Sequence, residues 1–139
     1  MERFSTFQVS QIFDIDPTSL QEWIDEGVVT PHRQSAGEKT TILFSREDLY
    51  RLRLFMLLLP WLSQSRAKSL SDVNFENVGA GKNRYKYCCL VVPLKQNFVE
   101  GSVRLLREIS DLTLEPSDFL LQIINLQAVK NEVDGLLGG

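Results

Sequence analysis

The residue types best suited to catalysis or to metal binding are few in this chain. It contains one histidine, His32, and two cysteines, Cys88 and Cys89, which are adjacent. The usual zinc sites need several Cys or His ligands, and adjacent cysteines rarely bridge each other. A nucleophile–base pair that uses histidine would have to include His32, and no partner spacing supports one. The sequence therefore predicts neither a metal site nor histidine-dependent catalysis.

A second candidate for chemistry is the segment at residues 79–82, which reads Gly-Ala-Gly-Lys. It resembles a fragment of a phosphate-binding loop, in which backbone N–H groups hold phosphates and a lysine follows the last glycine. The earlier glycine at the required spacing and the Ser or Thr after the lysine are both missing. We therefore expect no enzymatic activity and no cofactor.

Length and composition are those of a globular domain. The chain has 139 residues, of which 43% are hydrophobic and 24% are charged, which excludes a disordered chain and a disulfide scaffold. The longest apolar run, at residues 54–62, is far shorter than the roughly twenty residues that span a bilayer. Residues 1–11 contain no apolar segment of the kind found in secretory signals. We expect a cytoplasmic protein that has no membrane partner.

Charge is distributed unevenly along the chain, although the net charge is only −3. The stretch 14–26 contains five carboxylates and no basic residue, whereas the stretch 61–95 is rich in lysine and arginine. Tyr85 and Tyr87 alternate with some of these bases, which is compatible with binding single-stranded nucleic acid or with one solvated face of an edge strand. Any contact with nucleic acid must overcome the acidic stretch.

The N-terminal elements are two short helices joined by a tight turn. Ser5 or Thr6 begins the first helix, and Asp14 is suited to the left-handed backbone of the turn. Asp16 and Pro17 are suited to the cap and first position of the second helix, which Gly27 ends. This pattern is typical of a helix-turn-helix motif.

A small hairpin and a third helix are predicted next. Residues 34–39 form a polar turn, and the β-branched and aromatic run 40–44 predicts a strand. Ser45 and Asp48 have the spacing of a capping box, and Pro60 stops or bends the helix that they begin. We call the hairpin the wing.

Three parts of the chain are expected: a helix-turn-helix domain at 1–62, a polar connector at 63–84 and an association module at 85–139. In the module we expect a strand at 85–92 followed by helices at about 98–112 and 117–135. The apolar residues of the last helix recur at spacings of four and three and form a seam, interrupted by Lys130, that suits helix pairing and predicts a homodimer. The seam residues are Phe119, Ile123, Leu126, Val133 and Leu137. The expected fold class is α+β and mostly helical, a winged helix-turn-helix followed by a strand and two helices.

Residues 4–59 resemble the MerR-type winged helix-turn-helix family. The resemblance is carried by the segment 16–20, by Trp23, by Gly-Val-Val at 27–29 with Pro31, and above all by FSREDLYRLR at 44–53. It implies a dimer that binds operator DNA, with the second helix in the major groove and the wing against the backbone. The protein would then be a transcriptional regulator or a DNA-architectural factor.

The candidate DNA contacts lie on the second helix, on the wing and at the start of the third helix. Gln21 can read adenine and Glu22 can accept a hydrogen bond from cytosine, while basic and hydroxyl side chains can bind phosphate. Arg51 and Arg53 could instead pair with nearby acids. The full candidate set is Thr18, Ser19, Gln21, Glu22, Arg33, Lys39, Thr40 and Arg46.

A protein-binding adaptor is the alternative function. MerR relatives commonly place Arg and an aromatic residue at the positions of Gln21 and Glu22, and an aromatic–Arg pair at Thr41 and Ile42, and this sequence keeps none of the four. Chaperone-modulator relatives also lack the Arg–aromatic pair on the second helix. In that case the acidic second helix would bind a basic protein partner.

Overall fold

The fold is described from a computed structural model, which covers residues 3–36, 39–60, 63–79, 84–93, 102–108, 110, 112 and 118–138. Its helices and strands confirm the predicted α+β class with an N-terminal winged helix-turn-helix. The elements in chain order are β1 (Phe4–Ser5), α1 (Thr6–Ile12), α2 (Pro17–Asp25), β2 (His32–Ala36), β3 (Lys39–Phe44), α3 (Arg46–Leu58), α4 (Gln64–Ser71), a 3₁₀ helix (Phe75–Asn77), β4 (Tyr87–Pro93), β5 (Ser102–Leu106), β6 (Asp118–Asn125) and α5 (Leu126–Leu136).

The turn between α1 and α2 is formed as predicted. Ser5 caps α1 in a capping box with Gln8. Asp14 takes the left-handed conformation with φ 52°, and Asp16 Oδ1 accepts a 2.9 Å hydrogen bond from the N–H of Thr18. Gly27, with φ 76°, follows the end of α2. The sequence thus sets both the start of α2 and its exit into the wing.

The wing belongs to a three-stranded antiparallel sheet with the order β1-β3-β2. Its two strands pair from His32 opposite Leu43 to Ala36 opposite Lys39, so the tip at residues 37–38 lies outside the described part of the chain. The short strand β1 was not predicted from the sequence. It places Phe4 opposite Phe44 and so attaches the start of the described chain to the wing.

The core contains residues from both halves of the chain. Leu20 and Ile24 of α2 are buried together with α3 residues such as Leu49 and Phe55. Trp23 packs edge-on against Phe55 with a centroid distance of 5.3 Å. Within the same cluster are α5 residues Leu126, Val129 and Val133. The last helix is therefore part of the hydrophobic core that holds α2 and α3.

The described part of the predicted polar connector at 63–84 contains regular structure that packs on the main core. Ser63 caps α4 by accepting from the N–H of Arg66, and Ala67 is fully buried. Phe75 and Val78 are also buried in the main core. The prediction overlooked that these apolar residues, though few, are spaced to face α3. Whether residues 1–62 fold as a separate domain stays a prediction.

The predicted helix at about 98–112 is wrong in the described part of that segment, which contains β5. Ser102–Leu106 pairs antiparallel with β4, from Tyr87 opposite Leu106 to Val91 opposite Ser102. The Val and Leu residues of this run are compatible with either a strand or a helix, and pairing with β4 decides between them. The predicted strand at 85–92 is confirmed, since β4 is Tyr87–Pro93.

The predicted helix at 117–135 is a strand followed by a shorter helix. β6 pairs with the other side of β4, which gives a second sheet with the order β5-β4-β6. Asn125 then begins α5, and its Oδ1 accepts a 3.1 Å hydrogen bond from the N–H of Ala128. The regular apolar spacing that predicts a single helix runs through the end of β6 and into α5. Leu126 and Val133, which belong to the predicted seam, are buried inside the chain instead.

Candidate nucleic-acid interface

The outer face of α2 is the surface that a helix-turn-helix would present to a groove. Thr18, Gln21 and Glu22 are exposed, and Ser19 is partly buried. The opposite face of the helix is buried through Leu20 and Ile24. The structure therefore brings the four candidate residues of α2 together on one short, outward-facing helix.

Carboxylates dominate the surface around this face. All five acidic residues of the segment 14–26 are exposed. Asp16 is engaged as the cap of α2, and Asp25 Oδ1 accepts a 2.9 Å hydrogen bond from Gln21 Nε2. Gln21 would have to break or share this bond to read a base. The exposed charge repels phosphate, so α2 alone provides no electrostatic attraction for DNA.

The wing contributes three candidate residues, whose backbone positions are fixed by the strand register. Arg33 is opposite Ile42, Thr40 is opposite Ser35, and Lys39 is opposite Ala36. Lys39 and Thr40 therefore lie at the tip end of the hairpin, and Arg33 lies nearer its base. Through the segment that follows Gly27, α2 leads directly into this hairpin.

Arg46, the candidate phosphate contact of α3, is engaged inside the protein. Its Nη1 lies 2.7 Å from Asp134 Oδ1 of α5, and the arginine side chain is 29% exposed. No local signal predicts this contact, because the two residues are 88 positions apart. Contact between Arg46 and a phosphate would require the ion pair to open or to be shared.

The other two arginines of α3 are also in ion pairs. Arg51 lies 3.0 Å from Glu47 and 3.4 Å from Asp48, which confirms the local pairing that the sequence allowed. Arg53 instead pairs with Glu132 of α5, at 2.8 Å. The positive charge of α3 is therefore largely compensated within the chain.

A polar cluster between α3 and α5 was missed by the sequence analysis. Tyr50 donates a 2.6 Å hydrogen bond to the carboxylate of Asp134. Burial, helped by that bond and by the charge of Asp134, raises the pKa of Tyr50 to about 12. Lys130 Nζ lies 5.8 Å from the centre of the Tyr50 ring. A sequence signal was available for the start of α5, the helix that carries Asp134 and Lys130, because Asn125 is a residue type typical of helix N-caps.

Two further observations concern metals and membranes. Across the described ranges, no three His, Cys, Asp or Glu side chains are grouped so that they could hold a metal ion. In the same part of the chain, the helices are too short or too polar to span a bilayer.

Comparison with known proteins identifies the N-terminal region. The family model described as MerR HTH family regulatory protein matches residues 4–60, which is the span from β1 to just beyond α3. None of the curated proteins compared with the chain matches it. The matched span contains the helix-turn-helix, the wing and α3 that the geometry defines. Residues 4–60 are therefore similar to the helix-turn-helix domain of MerR-family regulatory proteins.

Proposed function

We propose that the protein binds duplex DNA as a transcriptional regulator, with α2 in the major groove and the wing against the backbone. The observation that carries the proposal is the outward polar face of α2, formed by Thr18, Gln21 and Glu22 on the helix that precedes the wing in the span matched by the MerR family model. Ser19 would lie at the edge of this contact. A DNA-architectural role would use the same surface.

The charge distribution sets the expected strength of this binding. Phosphate contacts supply most non-specific affinity, and the acidic residues around α2 oppose them. Arg33 and Lys39 of the wing, with the hydroxyl of Thr40, are the proposed phosphate contacts. Arg46 joins them only when its pair with Asp134 opens. Non-specific binding is therefore weaker than for a basic helix-turn-helix and depends strongly on the wing.

Titration of a random-sequence duplex with the full chain, at low and at moderate salt, tests the proposal. Binding that weakens steeply as salt increases supports phosphate-anchored recognition. An absence of binding even at low salt would overturn it. A random sequence is used because the contribution of phosphate contacts to affinity does not depend on the base sequence.

A double variant locates the contact. Replacement of Arg33 and Lys39 by alanine removes two phosphate contacts, so the slope of log K against log salt falls by about 1.8. The matched control replaces Arg66 and Arg84, which are exposed and lie outside the wing. It removes the same charge and leaves the slope unchanged. An equal effect of both double variants would exclude a specific role for the wing.

A protein-binding adaptor is the second candidate function. Two observations favour it: the exposed carboxylates around α2, and the ion pairs that engage the three arginines of α3. In this case α2 binds a basic protein surface, and the DNA titration gives no signal at low salt. The same experiment therefore separates the two functions.

The proposed regulator is a cytoplasmic homodimer. Since Leu126 and Val133 are buried within the chain, the dimer interface uses a surface other than the predicted seam. Light scattering at micromolar concentration gives the mass directly. A dimer mass supports this part of the proposal, and a monomer mass contradicts it.

A further inference from the structure

A cleft lies behind the helix-turn-helix, between the segment that leaves α2 and the helices α3 and α4. Its volume is about 370 Å³. This falls within the range of small-molecule sites, which is roughly 300 to 1,000 Å³. The cleft is distinct from the outer face of α2 and from the wing residues proposed to contact DNA.

One wall of the cleft is apolar and accessible. Val28 and Val29 are half-buried, so part of their surface faces the opening, while Phe44 and Phe55 are almost fully buried behind them. Bound apolar groups would cover this surface and gain hydrophobic free energy. The apolar lining residues are Val28, Val29, Pro31, Phe44, Leu52 and Phe55.

Most of the charges that line the cleft are already paired with one another. Arg51 lies 3.4 Å from Asp48 and 3.6 Å from Asp72. Asp48 also accepts a 2.8 Å hydrogen bond from the N–H of Ser45. A cationic ligand would have to compete with Arg51 for these carboxylates.

Lys68 is the exception among these charges. It lines the cleft from α4 and is half-buried. No ion pair joins Lys68 to a carboxylate in the part of the chain that the structure describes. Lys68 therefore supplies a cation at the cleft that no described ion pair neutralises, and a bound anion would be attracted to it.

We propose that this cleft binds a small organic carboxylate with an apolar body, whose carboxylate contacts Lys68 and whose body lies on the wall formed by Val28, Val29 and Phe55. The volume suits a small molecule better than a helix or a strand of another protein. Binding at this site goes beyond the proposed DNA function and is measured without DNA, so either proposal can fail alone.

Calorimetric titration of the full chain with phenylbutyrate, compared with phenylbutanol, tests the site. The two probes share an apolar body and differ in charge. We expect phenylbutyrate to bind about tenfold more tightly, because a charge-assisted contact at a half-buried site contributes about that factor. In nuclear magnetic resonance spectra, the chemical shifts of the Val28 and Val29 amides should change on binding.

The variant Lys68→Met should abolish the preference for the carboxylate, leaving both probes with the affinity of the alcohol. Arg66→Met removes a cation from an exposed position of the same helix and should keep the preference. If Lys68→Met does not fold, the wild type is titrated with both probes at increasing salt instead. Salt should weaken only the binding of phenylbutyrate.

Four results would overturn the proposal. One is an absence of binding of both probes up to millimolar concentration, and another is equal affinity of the two probes for the wild type. A third is a carboxylate preference that persists in Lys68→Met or at high salt, and a fourth is a set of amide shifts that occur only away from Val28 and Val29.

Discussion

Asp134 of α5 accepts a 2.6 Å hydrogen bond from the hydroxyl of Tyr50 in α3. The same carboxylate oxygen is 2.7 Å from Arg46 Nη1. One side chain near the end of the chain thus holds two residues of the family-matched region. Since Arg46 is also a candidate phosphate contact, the position of α5 affects both stability and the proposed DNA surface.

Replacement of Asp134 by alanine should destabilise the protein by about 1 to 2 kcal/mol. The variant leaves Tyr50 and Arg46 without this acceptor, and the partial exposure of the site moderates the loss. Urea unfolding followed by circular dichroism gives the free energy. The control is Asp72→Ala, whose carboxylate is 82% exposed and 3.6 Å from Arg51. An equal loss in both variants would argue against a special role for Asp134.

The elevated pKa of Tyr50 predicts a loss of stability in strong alkali. A free tyrosine ionises near pH 10, and burial with the bond to Asp134 raises the pKa of Tyr50 to about 12 in the folded protein. A group whose pKa is higher in the folded state contributes its full stability below pH 10, and this contribution is lost as the pH rises towards 12.

The measurement for Tyr50 is the unfolding free energy of the wild type and of Tyr50→Phe at several pH values above 9. The difference between the two should shrink between about pH 10 and 12, since only the wild type contains the titrating hydroxyl. Other groups titrate equally in both proteins and cancel in the difference. A difference that stays constant over this range would contradict the assigned pKa.

Gly27 and Gly135 give opposite predictions for the same substitution. Gly27 has φ 76°, so an alanine there is strained although nothing lies within 4 Å of the added carbon. Gly27→Ala should therefore cost about 1 kcal/mol. Gly135 lies inside α5 with equally open space, so Gly135→Ala should stabilise the protein by about 0.5 to 1 kcal/mol. Thermal unfolding of both variants tests these backbone conformations. Equal changes in stability for the two substitutions would contradict them.

Asn125→Ala should destabilise the protein by about 1 kcal/mol, because Asn125 Oδ1 caps the first turn of α5. The control is Asn131→Ala, on an exposed position of the same helix, where the side chain accepts only from Gln127 in the described structure. Chemical unfolding of the two variants compares the cap with a surface amide. A loss at position 131 as large as at 125 would contradict the strand–helix boundary.

The N-terminal region was predictable because its signals are local. Ser45 with Asp48, Asp16 with Pro17, and the left-handed Asp14 each act within a few residues, and each is found where the sequence predicts it. The outward face of α2 follows from the same periodicity. The positions of the candidate DNA residues on α2 and the wing were therefore accessible from sequence, while their contact with DNA stays a prediction.

The C-terminal half was predicted poorly because its structure depends on long-range pairing. β5 is a strand because β4 lies beside it, and the alternation of its apolar residues does not exclude a helix. The pair of Arg46 with Asp134 joins residues whose separation gives no local signal. The cleft beside Lys68 likewise gives no local signal, since its walls come from the segment after α2, from β3, and from the helices α3 and α4.

The burial of Leu126, Val129 and Val133 against the N-terminal helices has a consequence for biosynthesis. At typical rates of about 5 to 20 residues per second, a ribosome needs about 4 to 15 seconds to add residues 61–136 after it has finished the family-matched region. During that interval the hydrophobic surface that α5 will cover is open to solvent. The nascent chain therefore reaches its final structure only after translation of residue 136, and it is exposed to chaperones until then.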